Sequence, residues 1–172
     1  MTRDRTLATC MLLCLLALLA APLHARDVGD VIPRDEVLGV DLDGKPVTLA
    51  SLGERPVIVM LWATWCSDSM RLLPTVEALN KKWSDRAVVL GVSVDRGQRE
   101  LTRFMKKHAD TVTFRVSHDR KALAAQAFEL RETPTTVLVD SSGAIRWRRV
   151  GFDPDWLETL SAALKTIEGE WN

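Results

Sequence analysis

Two stretches of the chain are apolar at nearly every position. Val57 to Ala63 reads VIVMLWA and Ala87 to Val94 reads AVVLGVSV, and unbroken apolar runs of this length mark strands covered on both faces. Between them Leu72, Val76, Leu79 and Trp83 recur at i, i+4, i+7 and i+11, which is the single apolar stripe of a helix, with Pro74 inside it as an expected kink. A second helix is expected from about Gly97 to His108 with Leu101, Phe104 and Met105 inward, then a short strand over Val112 to Val116. Asp119 is placed to cap a third helix carrying Leu123, Ala127 and Phe128.

Both ends of this region follow hairpin logic. Val37 to Leu49 has two short apolar alternations around Asp43-Gly44, a pair suited to the positive φ angles of a tight turn. Thr135 to Asp140 and Ala144 to Val150 flank Ser141-Ser142-Gly143, and the second of these sets Ile145, Trp147 and Arg149 against Arg146, Arg148 and Val150. The run Arg146, Arg148, Arg149 reads as a solvated strand face. Asp153-Pro154 supplies an N-cap with proline at the first helical position. The last helix then runs to about Glu168 with Trp156, Leu160, Ala163 and Ile167 on one face. The order hairpin, β, α, β, α, β, α, β, β, α predicts an α/β sandwich with a mixed central sheet.

The first 25 residues do not belong to this pattern. Arg3 and Arg5 precede the charge-free segment TLATCMLLCLLALLAAPL, which ends at Pro22-Leu23-His24-Ala25. Those are the basic and apolar regions of a secretory signal, cleaved after Ala25, and they imply export to the periplasm and a single domain over residues 26–172. The competing reading is an uncleaved anchor, because the run approaches the ~20 residues that cross a bilayer. It is the weaker one, since the run ends in proline and small residues, not in a basic stop-transfer patch. The LATC motif at Leu7 to Cys10 is not a lipoprotein box, since its apolar segment follows the cysteine.

Charge narrows the function classes. The whole chain carries 23 basic and 23 acidic residues. Losing Arg3, Arg5 and Asp4 with the leader leaves 21 against 22, a formal charge of −1. No overall field draws such a protein to nucleic acid or to an anionic membrane, so basic-patch readings are set aside.

Cysteine is the informative residue. Cys10 and Cys14 lie in the leader, so the mature chain keeps Cys66 alone. In an oxidising compartment a lone thiol stays free, becomes capped, or pairs with another molecule, a second copy included. His108 and His118 have no ligand spacing around it and read as solvated surface histidines, so neither a metal nor any other cofactor is expected.

The strand and turn VIVMLWATWC, Pro74 eight residues past Cys66, Thr133-Pro134 leading into TTVLVD, and Gly151 after the last strand together resemble the thioredoxin fold. DLDGKPVTLASL ahead of WATWC is similar to the periplasmic thioredoxin-like proteins of the TlpA/ResA group. The resemblance runs from about Asp27 to Glu168. It implies an α/β/α sandwich with an N-terminal hairpin extension, a cis peptide bond before Pro134, and disulfide reduction, notably in cytochrome c maturation.

That chemistry uses two cysteines at the N-terminus of a helix: a thiolate attacks a substrate disulfide and the second thiol resolves the mixed disulfide. Here the motif is Cys66-Ser67-Asp68-Ser69, so the attacking position is kept and the resolving one is a serine. Met60 stands where thioredoxins carry a buried aspartate, and Leu72 where the group often has a glutamate. Asp68 beside the thiol is expected to raise its pKa. A peroxide-reducing site is excluded because Val59 and Ala63 replace the proline and threonine that precede such a cysteine.

Two functions follow. In the first, Cys66 is a single working thiol, aided by the Ser69 hydroxyl, that forms mixed disulfides with protein or low-molecular-weight thiols, and Trp65, Thr133 and Pro134 bind the substrate. In the second, Cys66 is a leftover buried thiol and the groove at Trp65, Thr133 and Pro134 is a non-catalytic binding module for a client or assembly partner.

Overall fold

The structure, a computed structural model, describes residues 26–169. The secretory leader expected over residues 1–25, with Cys10 and Cys14 in it, lies outside the described residues. Among those described, no helix is long and apolar enough to cross a membrane.

Seven strands form one mixed sheet: β1 Val37–Val40, β2 Pro46–Thr48, β3 Val57–Trp62, β4 Val88–Ser93, β5 Arg115–His118, β6 Thr135–Val139 and β7 Ile145–Val150. Their order across the sheet is β2-β1-β5-β4-β3-β6-β7. The two apolar runs, β3 and β4, lie parallel at its centre, and β5 continues the parallel half. The first hairpin joins through an antiparallel β1–β5 pair, and β6 and β7 complete the other edge antiparallel to β3 and to each other.

Alternate residues of β3 feed two separate cores, which is why the whole run is apolar. Ile58, Met60 and Trp62 meet α1 (Ser67–Lys82), α2 (Gln98–Lys107) and α4 (Trp156–Gly169) through Leu72, Val76, Leu101, Trp156 and Leu160. Val57, Val59 and Leu61 face the opposite way, against the hairpin and α3 (Leu123–Ala127). A fully buried aliphatic side chain contributes roughly 1.5–3 kcal/mol relative to an exposed one. A polar substitution anywhere in β3 therefore falls in a core. Pro74 sits within α1 without ending it.

Four sequence expectations are corrected. The strand expected at Val112 to Val116 begins at Arg115, because Thr113 gives both its amide and its hydroxyl to the Glu77 carboxylate and so is held by a side chain instead of the sheet. α3 starts at Leu123, with Ala122 before it in the left-handed region at φ 55°. Asp119 still supplies an N-terminal acceptor, since its carboxylate takes the Ala125 amide at 2.8 Å. α4 starts at Trp156, and Asp153 and Pro154 form the turn ahead of it, where the Asp153 carbonyl accepts the Trp156 amide. Finally, the β7 arginines are half-buried and engaged. Arg146 pairs with Asp140, Arg148 donates to the carbonyls of Phe128 and Glu129, and Arg149 pairs with Asp153 and Asp155.

Candidate active site at Cys66

β3 delivers the chain to the carboxyl edge of the sheet, where α1 begins. Cys66 is the N-cap of α1, with extended backbone at φ −89° and ψ 115°, and its carbonyl accepts the Met70 amide. The side chain therefore stands at the helix end whose backbone N–H groups lack partners and whose dipole is positive, the place that favours an anion.

Three partners converge on Sγ. The Thr133 carbonyl lies 3.2 Å away and accepts from the protonated thiol. Burial by itself pushes the thiol up, but the Ser69 and Thr133 hydroxyls and the amides of Ser69 and Asp68 outweigh it, so the thiol is held below its ordinary value of 9.0. The expected effect of Asp68 is thus overturned. Its carboxylate turns to Arg71 at 3.3 Å, and its backbone amide favours the thiolate.

Ser69 is completely buried beneath the thiol. Its hydroxyl accepts from the Ala63 amide at 3.5 Å, which leaves its own proton for the sulfur. The Thr133–Pro134 peptide is cis. The Pro134 carbonyl takes the amide of Gly151, which lies at φ 77°, in the left-handed region that a glycine enters without strain. Cys66, Ser69, Thr133 and Pro134 thus gather at one point. Trp65, the residue before Cys66, is 70% exposed and lines a depression with Asp95, Arg96, Gly97 and Glu100.

The sequence reading missed Asp95. This carboxylate is 3% exposed and accepts the Thr64 amide at 3.1 and 3.2 Å, the Thr64 hydroxyl at 2.7 Å and the Ser93 hydroxyl at 2.7 Å. It fixes the turn two residues before Cys66. The signal available was an acidic residue closing a buried parallel strand, since the carboxyl ends of such strands are where sites form. His118 is also corrected, because it is buried and its Nε2 lies 2.8 Å from the Asp95 carbonyl. His108 stacks on Phe104 at 4.3 Å between ring centres. Among the described residues no three His, Cys, Asp or Glu side chains gather as a metal site would require.

The AhpC/TSA family matches residues 28–148. Methylamine utilization protein MauD of Paracoccus versutus is 30% identical over 144 residues, 83% of this chain and 68% of MauD. Thiol-disulfide oxidoreductase ResA of Geobacillus thermodenitrificans is 29% identical over 147 residues, 80% of this chain and 82% of ResA. A crystal structure from Chlorobium tepidum, assigned as a thiol:disulfide interchange protein DsbE, superposes with a TM-score of 0.69 at 26% identity, over 80% of this chain and 98% of that one. Several other relatives are matched over a smaller share of their length, 65% for thioredoxin-like protein YneN of Bacillus subtilis and 62% for ResA of Oceanobacillus iheyensis.

Proposed function

Because the chain belongs to the AhpC/TSA family and is a thioredoxin-like protein of the TlpA/ResA type, we propose that it is an exported protein that performs thiol-disulfide exchange through Cys66 alone. The observation that carries this reading is the thiol at the N-cap of α1, where the Ser69 and Thr133 side chains and the first helix amides hold it below its ordinary value. The leader at residues 1–25, removed after Ala25, is the basis for export to the periplasm.

The chemistry balances without a second cysteine. The Cys66 thiolate attacks one sulfur of a disulfide R–S–S–R′, a Cys66–S–S–R bond forms, and the electron pair of the broken bond leaves on R′–S⁻, which takes a proton from water. A second thiolate, from a protein or a low-molecular-weight thiol, then attacks the R sulfur and releases Cys66 as it began. Ser69 favours the thiolate at both stages. It cannot resolve the adduct itself, so turnover requires the external thiol. Trp65, Thr133 and Pro134 form the rim that receives the substrate.

The exposure of Trp65 also supports the second reading, a client-binding module with a dispensable thiol, for instance in cytochrome c maturation. One experiment separates the two. The folded protein is treated with a peptide disulfide and followed by intact mass. A single adduct on Cys66, reversed by added thiol and absent from Cys66→Ser, is the expected result. A folded Cys66 inert both to the disulfide and to a small alkylating reagent leaves only the binding module.

A further inference from the structure

Net neutrality rules out a global field, but the charges are not spread evenly, and basic side chains gather in a groove that reaches toward Trp65. The depression lined by Trp65 and Asp95 has a volume of about 460 Å³ and shares Arg96, Gly97 and Glu100 with a larger groove. That groove, about 920 Å³, is lined by Arg96, Arg99, Arg103, Lys106 and Arg120, with Glu100 as its acidic residue. Surface exposed from the indole next to Cys66 thus runs on into a strip of five cations.

None of these five is matched to a carboxylate among the described residues. Elsewhere Arg34 pairs with Glu54, Arg86 with Glu168 and Arg149 with Asp153 and Asp155, while Arg55 and Arg148 donate to backbone carbonyls. Arg99, Arg103 and Lys106 also recur at i, i+4 and i+7 on α2, a spacing at which like charges oppose helix formation. A face serving only helix stability would alternate sign.

We infer that this groove takes an acidic segment of the polypeptide whose disulfide meets Cys66. Carboxylates of the client sit against Arg96, Arg99 and Arg103 while Trp65 covers the chain between them and the sulfur. The inference rests on the exchange reading for its chemistry, and the groove's continuity with Trp65, the residue before Cys66, favours a partner that brings sulfur over nucleic acid or lipid headgroups. Complementary charge of this kind acts mainly on encounter rate.

Three peptide disulfides of one length test it, with acidic, neutral or basic residues set several positions from an identical reactive disulfide. At an ionic strength of about 0.01 M the acidic peptide should form the mixed disulfide roughly tenfold faster than the neutral one, and the preference should shrink to about twofold or less at about 0.15 M. The double variant Arg99→Glu/Arg103→Glu should abolish or invert the preference while leaving the neutral peptide's rate unchanged. Equal rates for acidic and basic peptides, or a preference that survives the double variant, would overturn the groove assignment with the Cys66 chemistry intact. If the neutral peptide forms no adduct, the exchange reading fails. The groove is then judged by fluorescence anisotropy of the labelled peptides on Cys66→Ser protein. There, selective binding of the acidic peptide upholds it, and tighter binding of single-stranded DNA or anionic vesicles overturns it.

Discussion

Toward β4, the turn that carries Cys66 rests on a buried carboxylate, Asp95, whose oxygens are occupied by the Thr64 amide and by the hydroxyls of Thr64 and Ser93. Beneath the start of α1, the helix that Cys66 caps, the described side chains are apolar: Met60 and Leu72 are completely buried in one cluster with Ile58 and Trp62, and the buried carboxylate of this helix, Glu77, lies farther along it and is taken up by Thr113. The polar side holds geometry, because its acceptors are committed to donors that a loop at the edge of the sheet would otherwise leave unpaired. The apolar side offers nothing that can take a proton. A site of this construction retains what steadies a thiolate and lacks what passes a proton between two thiols, which is the division the single-thiol proposal requires.

The largest effect should come from forcing the apolar side to become polar. Met60→Asp sets a carboxylate among Ile58, Trp62 and Leu72, with the Thr136 hydroxyl as the nearest cross-strand group in register. An unpaired buried charge of this kind should reduce stability by roughly 3 kcal/mol or more in urea unfolding at neutral pH. Burial would raise the new carboxyl's pKa, so the loss should lessen as pH falls below that raised value and the group is neutralised. A variant as stable as the parent would mean that this side accepts an acid after all, and the contrast would collapse.

A smaller loss should follow from weakening the polar side. Asp95→Asn keeps the shape but turns one acceptor into a donor facing the Thr64 amide and the hydroxyls of Thr64 and Ser93. Removal of hydrogen bonds to a charged group should cost about 2 kcal/mol, and the freed turn should change the alkylation rate of Cys66 in the folded protein. Unaltered stability and reactivity would make Asp95 a bystander.

The apolar side was legible in the sequence and the polar side was not, for a physical reason. Met60 and Leu72 lie inside periodic elements, where a residue's place in the run or stripe fixes its burial. The same periodicity locates β3, β4 and α1, and with them the position of Cys66 at a helix start. Asp95, Ser93, Thr64 and His118 meet only across the edge of the sheet, from three separate segments, and no spacing along the chain encodes that meeting. His118 reads as a loop residue until the β4–β5 register sets it opposite Ser93. Arg99, Arg103 and Lys106 share one face of a helix that the periodicity predicts, but Arg96 and Arg120 join them as one strip only through the fold. Asp68 was misread because proximity in sequence suggested a charge beside sulfur, whereas its carboxylate turns to Arg71 on the same helix face.

The finest test of the contrast is at the sulfur itself. Ser69 is the first of the groups that draw the Cys66 thiol down against the opposing effect of burial. Ser69→Ala removes that donor and leaves the helix amides, so the pH profile for alkylation of the folded protein should move upward. Near neutral pH the rate should fall by up to about tenfold, the equivalent of one hydrogen bond to a charged group. The two proteins should react alike well above the ordinary thiol value of 9.0, where both are ionised. The sign carries over to stability. A thiol depressed in the folded state adds stability that is fully present above 9.0 and is lost as pH falls through the folded value, so the variant should gain less between those limits. If the profile stays where it was, the N-terminus of α1 and Thr133 hold the thiolate unaided, and the serine at the old resolving position is only a well-packed remnant.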